Sequence, residues 1–198
     1  MAEFVTGLDA LMKKMSAFEK KQVPFALSIA LNNTANLAKV EAQKQMPNYL
    51  DSPTRFTINS VAVVRSNKSN LVAKVLIKDI QAKYLEVNVH GGVVNKRIAR
   101  PVNIGLNKFG NIAGLKDGKK IKALIAKGDA FIRTINGVNG LWLRGKKGAG
   151  LKLLVRFEKS QQYDKKYPFK DIVIKEANKN IVREFSKAMT DAMATAFK

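Results

Sequence analysis

A single histidine limits the acid–base and metal chemistry open to this chain of 198 residues. His90 stands four residues after Glu86, a spacing that puts both on one face of a helix or strand. An isolated Glu–His pair of this kind reads as a surface contact, because a catalytic dyad needs a third group to orient it and a pocket to work in. Asp51, Asp79, Asp117 and Asp129 are too dispersed to make a two-metal site, and several fall in turn-like sequence, where aspartate bonds its own backbone. Gly145-x-x-Gly148-x-Gly150 and Gly91-Gly92 are glycine clusters without the Lys-Ser/Thr offset or the strand–helix context of a phosphate loop. The absence of cysteine excludes disulfides, thiolate nucleophiles and thiolate metal sites. These residues assign no catalytic, metal or cofactor-binding role, and the expectation is a protein that is not an enzyme.

Positive charge is the stronger signal. The chain holds 36 Lys+Arg against 15 Asp+Glu, and residues 51–157 alone hold 21 basic and 5 acidic residues. Such a field attracts polyanions, whether nucleic acid, an acidic protein or an anionic membrane. The candidate contact residues are Lys74 and Lys78, on alternating positions of a strand-like run, and Arg144, Lys146 and Lys147, expected on a mobile glycine-rich tip. Tyr163, Trp142 and Phe109 are the aromatic residues available for stacking, although the apolar neighbours of Trp142 suit a core role better. Without a recognised aromatic platform, the contact expected is backbone-level and sequence-blind.

The elements that position these residues read as α+β: a mainly antiparallel sheet flanked by a long helix in the N-terminal half and a C-terminal helix, with long irregular basic loops or arms. Residues 1–22 predict an N-terminal helical arm, and residues 23–198 a single domain with an extended basic loop over about 93–130. Val23-Pro24 predicts a break, Phe25 to Gln45 a helix, and Met46-Pro47 its end. Ser60–Val64 and Leu71–Lys78 read as a hairpin, and Lys83–Val89 as a short helix or strand. Leu141–Leu143 and Leu151–Phe157 read as a second hairpin around the glycine-rich connector. After Tyr167-Pro168, the stripe Ile174, Ala177, Ile181, Phe185, Ala188, Met189, Ala192 and Ala196 predicts a closing helix with Ile181 and Phe185 buried. There is no apolar run of bilayer length, and Met1–Ser16 carries acids and lacks the apolar core of a secretory leader.

Three stretches resemble the bacteriophage minor tail protein Z family of tail completion proteins. Asp51-Ser52-Pro53-Thr54-Arg55-Phe56-Thr57-Ile58-Asn59-Ser60 is similar to that family's Pro-Thr-x-Phe-Thr-x-Asn-Ser segment, and it follows a long Ala/Asn-rich helix. Lys83-Tyr84-Leu85-Glu86 with Val89-His90-Gly91-Gly92 resembles its Tyr-Leu…Gly-Gly stretch. The order of strand, Tyr167-Pro168 and final helix resembles its ending. The motif residues are thus Pro53, Thr54, Phe56, Thr57, Asn59, Ser60, Tyr84, Gly91 and Gly92. The chain departs from the family pattern over Val102–Ile125, which is Lys/Gly-rich.

The resemblance implies a structural virion protein of the tail or neck, made in the host bacterial cytoplasm, that completes the tail and joins it to the DNA-filled head. It implies a homo-oligomeric ring, six- or twelve-fold, because heterologous interfaces with a closing rotation make rings. The partners implied are portal, adaptor or tail tube proteins, with transient contact to genomic DNA, no cofactor and no membrane. The alternative from a different class is a sequence-nonspecific nucleic-acid-binding protein.

Overall fold

The computed structural model describes residues 19–112, 119–145 and 149–196. It is α+β, with two long helices and antiparallel sheets, and the chain divides into two compact units where the sequence reading expects one domain. The first unit is formed by residues 1–89 and 166–198, the second by residues 90–165.

In the first unit, α1 (Glu19–Tyr49) packs along α5 (Phe169–Ala196). The helix α1 starts before the expected break and runs through both Pro24 and Pro47. A proline removes one rung of the ladder, but packing begins at once: Ala26 and Ala30 are buried against Ala188 and Ala192, with Phe25, Ile29, Phe185 and Met189 around them. Tertiary contact here outweighs the local break. Most of the expected N-terminal arm, residues 1–18, lies outside the described residues.

The seam between the two helices is alanine-rich, and this corrects the expectation for α5. Ala177, Ala188 and Ala192 are buried, whereas Ile181 and Phe185 are only half-buried. Small side chains bring the helix axes close, so the larger residues of the stripe sit at its margins.

At its start, α5 is pinned by Tyr167. This residue is fully buried, donates its hydroxyl to the Ala42 carbonyl at 2.8 Å, and takes the Asn88 carbonyl on its backbone N–H at 2.8 Å. Burial first, and Tyr49 beside it second, push its phenol above the ordinary tyrosine range.

The hairpin β1 (Val61–Val64) and β2 (Lys74–Ile77) is antiparallel, with Val61 opposite Ile77. Its loop is tied to α1: Asn32 accepts from the Ser66 N–H at 2.8 Å and donates to the Ser66 carbonyl at 3.0 Å. Between α1 and β1 lies the short helix α2 (Arg55–Ile58), and after β2 comes α3 (Asp79–His90), which resolves the helix-or-strand ambiguity as helix.

In the second unit, β3 (Gly92–Val94) pairs with β8 (Gln161–Tyr163). A four-stranded antiparallel sheet has the order β4-β7-β6-β5, made of β4 (Ile98–Pro101), β7 (Leu151–Glu158), β6 (Val138–Arg144) and β5 (Ala130–Ile135). Asn136 and Gly137, with φ of 47° and 76°, turn β5 into β6, the conformation a two-residue hairpin loop requires. The stretch expected as an extended loop over about 93–130 contains β4 and a helix, α4 (Lys119–Ala126). Ala130, Leu141, Leu154 and Val155 form the core of this unit, with Ile121 and Leu124 of α4 against it.

A register shift at Leu141/Trp142 leaves Leu154 without an opposite residue, and both Leu154 and Val155 are buried. This is how a β-bulge adds a second core side chain at one position.

Candidate functional site: the outward face of the basic sheet

The register of the four-stranded sheet brings charge together. Arg100 pairs with Arg156, Arg156 with Gly140, and Gly140 with Arg133. Residues directly opposite one another in antiparallel strands project to the same side. Three arginines therefore form one row across all four strands, on the side turned away from the core. With strands about 4.8 Å apart, Arg100 and Arg156 are neighbours and Arg133 stands two strands further, across the glycine.

The next row is apolar: Trp142 pairs with Phe131 on one side and Leu153 on the other. Arg144, two residues beyond Trp142, places its guanidinium 4.7 Å from the centre of the Phe131 ring. Its Nε donates to the Gly128 carbonyl at 3.1 Å. Trp142 donates its indole N–H to the Arg133 carbonyl at 2.9 Å. Gly140 is required by the crowding here: a Cβ would lie 2.6 Å from the Val155 carbonyl oxygen and run into the Leu153 side chain.

Two carboxylates stand on this side, Glu158 beside the row and Asp129 opposite Arg144. Glu158 accepts from Arg100 Nε at 2.9 Å and lies 3.8 Å from Arg156 Nε. Glu158 orients two guanidinium groups and offsets one positive charge, and four arginines against Glu158 and Asp129 leave the face positive. All four arginines are exposed. The arrangement suits phosphate or carboxylate oxygens, which guanidinium groups hold through two parallel N–H donors. It suits base stacking less well, because Arg144 already covers Phe131.

The residues expected to carry function are placed differently. Lys74 begins β2 and Lys78 follows it, both in the first unit, whereas the arginine row belongs to the second. Arg144 ends β6 and is held by the contacts above instead of riding on a mobile tip. Lys146 and Lys147 lie outside the described residues. Trp142 is half-buried on the outward face of the sheet instead of in the core. Tyr163 is in β8 and Phe109 in a turn.

Sequence reasoning missed Arg100, Arg133 and Arg156. Half of the signal was present, since Asn136-Gly137 as a two-residue turn sets Arg133 opposite Gly140 and Phe131 opposite Trp142.

The motif residues make a structural joint in the first unit. Thr54 caps α2 by accepting from the Thr57 N–H at 3.2 Å, and the Thr57 hydroxyl lies 3.1 Å from the Tyr84 hydroxyl on α3. Gln81 donates to the Phe56 carbonyl at 3.3 Å, and Lys78 donates its backbone N–H to the Ser60 carbonyl at 2.9 Å. Pro53 precedes the cap and Asn59 closes the turn. Phe56 and Tyr84 keep exposed ring surface. Gly91 and Gly92, in the second unit, have φ of 75° and 125°. A Cβ at Gly91 would press on Lys165 N and Tyr163 O at 3.3 Å.

Among the described residues no group of three or more His, Cys, Asp or Glu is placed to hold a metal ion, and no helix is long and apolar enough to cross a membrane. No protein-family model, curated protein or solved structure matches the chain.

Proposed function

We propose that the chain is a structural, non-enzymatic protein of a bacteriophage tail or neck, one member of an oligomeric ring that completes the tail and joins it to the DNA-filled head. The observation that carries this reading is the arginine row of the second unit. It is a surface suited to a polyanion, and the carboxylate beside the row, Glu158, is spent on orienting guanidinium groups instead of standing ready for acid–base work. Genomic DNA and an acidic neighbouring ring are the polyanions that such a position offers. The motif residues, with their resemblance to tail completion proteins, supply the virion context.

The test is complementation. Lysates of phage lacking this protein should accumulate separate heads and tails, and added wild-type protein should join them. Protein with Arg100, Arg133 and Arg156 all replaced by Gln should join them poorly. Joining without any added protein would overturn the assembly role, and full joining by the triple variant would remove the arginine row from it.

The exposed arginines also favour a second reading, a sequence-nonspecific nucleic-acid-binding protein. A free binder holds duplex DNA tightly, with affinity falling steeply as salt rises, and loses about 0.9 of that logarithmic slope for each phosphate contact removed. The triple variant should lower the slope by two to three such steps. An assembly protein that meets DNA only inside the particle shows weak binding to free duplex in both forms.

A further inference from the structure

The four-stranded sheet of the second unit has two edges, β4 and β5, and they are built differently. Beside β4, Val102 donates its N–H to the Leu154 carbonyl of β7 at 2.9 Å. The backbone groups of successive residues in a strand point to alternate sides, so Pro101 is turned to the open side. A proline there has no N–H to offer, which blunts this edge against further pairing.

The other edge, β5, is six residues long and contains no proline. Arg144 of β6 donates its N–H to the Asp129 carbonyl at 2.8 Å, and the Arg133 carbonyl takes the Trp142 indole N–H. Phe131, Arg133 and Ile135 therefore turn their backbone groups to β6. Those of Ile132 and Thr134 point the other way, and among the described residues nothing bonds them there. Ile132, Arg133 and Thr134 are all exposed, Ile132 at 49 %. An open edge of this kind is a template for one more strand.

Charge decides which strand it is. Two copies of β5 meeting antiparallel about Ile132–Thr134 would set Arg133 opposite its own counterpart. That is a non-hydrogen-bonded pair, the kind with the closest side chains, and like charges there repel. A carboxylate opposite Arg133 is attracted instead, and it prolongs the arginine row by one strand. Its two chain neighbours project to the other side of the sheet, beside Ile132 and Thr134, where β-branched residues fit.

We propose that β5 accepts an extended segment of a partner protein as a fifth strand, with Asp or Glu opposite Arg133 and β-branched residues on either side of that acid. The surface lies wholly in the second unit and does not rest on the tail or neck reading.

The experiment is a titration of the full, isotope-labelled chain with the capped peptide Ser-Thr-Val-Glu-Val-Thr-Ser, followed by amide NMR and hydrogen exchange. The N–H signals of Ile132 and Thr134 should shift saturably and gain exchange protection. Those of Phe131 and Arg133, already bonded to β6, should keep the protection they have. The same peptide with Lys in place of Glu should bind about tenfold more weakly. Arg133→Gln should erase that difference. Thr134→Pro, which removes one outward N–H and spares the bonds to β6, should block both peptides. Protection of Ile132 and Thr134 that rises with protein concentration in the absence of peptide assigns the edge to a second copy and overturns the proposal. So does the absence of saturable shifts at these two amides, equal binding of the two peptides, or an unchanged preference for the Glu peptide in Arg133→Gln.

Discussion

The two units solve the problem of a small core in opposite ways, and their charge follows the same division. The first unit lays the start of one long helix against the end of another through alanines, gathers Met46, Val61, Tyr167 and Val173 in a second cluster, and carries 19 basic and 11 acidic residues. The second builds a sheet core from Leu141, Leu154 and Val155 and carries 17 basic against 4 acidic residues in a shorter stretch of chain. Alanine seams depend on close approach, so they respond most to added volume. A leucine and valine core depends on area removed from water, so it responds most to lost volume. Positive charge is concentrated in the unit whose sheet turns one face outward, and a sheet face can present several guanidinium groups to one extended partner.

The largest expected effect tests whether the second unit stands on its own core. Leu141 is fully buried, and Leu141→Ala should cost about 2–5 kcal/mol. Trp142 is the only tryptophan and belongs to this unit, while α1 and α5 supply most of the helix and belong to the other. Urea unfolding followed by tryptophan fluorescence should shift to lower midpoint in the variant. Helical circular dichroism should hold its midpoint if the units unfold separately. A common shift in both signals would show that they unfold as one, and would end the treatment of the two cores as independent.

The converse experiment adds volume to the first unit. Ala30 is fully buried in the helix seam, and Ala30→Leu should destabilise by about 1–3 kcal/mol through overpacking. The effect should appear in the helical signal. A neutral or stabilising result would mean that the seam has room, and that alanine is there for helix propensity alone.

The two long helices and the charge concentrated in residues 51–157 were legible in the sequence, the division into two units was not, and what was missed has a physical cause. The helical stripe of α5 identified the right face but misjudged which members are buried, because periodicity reports direction and not the distance to the partner helix. Pro24 signalled a stop that packing on α5 overrides. Asn136-Gly137, a turn signal that the sequence reading left unused, sets the β5–β6 register, whereas the pairing of β4 with β7 joins Ala99 to Phe157. No local signal encodes a pairing over that separation. The arginine row therefore exists only once the sheet is assembled. The lysines of the β6–β7 tip drew attention instead because they are contiguous.

A moderate effect distinguishes the anchor of the first unit from its surface. Tyr167→Phe removes the donor to the buried Ala42 carbonyl and should cost about 1–3 kcal/mol near neutral pH. The pH dependence has a definite sign. The folded phenol titrates above the unfolded value of about 10, so the folded state holds this proton more tightly. Its contribution is complete below pH of about 10 and is lost as pH rises beyond that toward the folded value. Wild type should therefore lose stability on the alkaline side faster than Tyr167→Phe. The difference between the two proteins isolates this phenol from every group that they share. Parallel curves would mean that Tyr167 is not held neutral by the fold.

The smallest expected effect concerns Phe56, and it bears on what the first unit presents outward. Phe56 is 57 % exposed and lies on the turn that Thr54 caps, while Ile80 of α3 is 68 % exposed and Tyr84 lies one helical turn after it. The backbone of this turn is what the fold uses: the Phe56 carbonyl takes the Gln81 amide, and any side chain leaves that bond in place. Phe56→Ala should accordingly change the stability of a dilute protomer by no more than about 0.5 kcal/mol. Thr54→Ala, which removes the cap hydroxyl, should cost about 1 kcal/mol. Exposed aromatic surface held on a rigid turn is costly to leave in water unless a partner covers it. If a second copy covers it, the melting temperature of wild type should rise with protein concentration, and Phe56→Ala should flatten that dependence without lowering the dilute value. A loss of stability in the dilute protomer would instead place Phe56 in the fold of its own chain. Flat curves for both proteins would mean that no second copy of the chain covers Phe56.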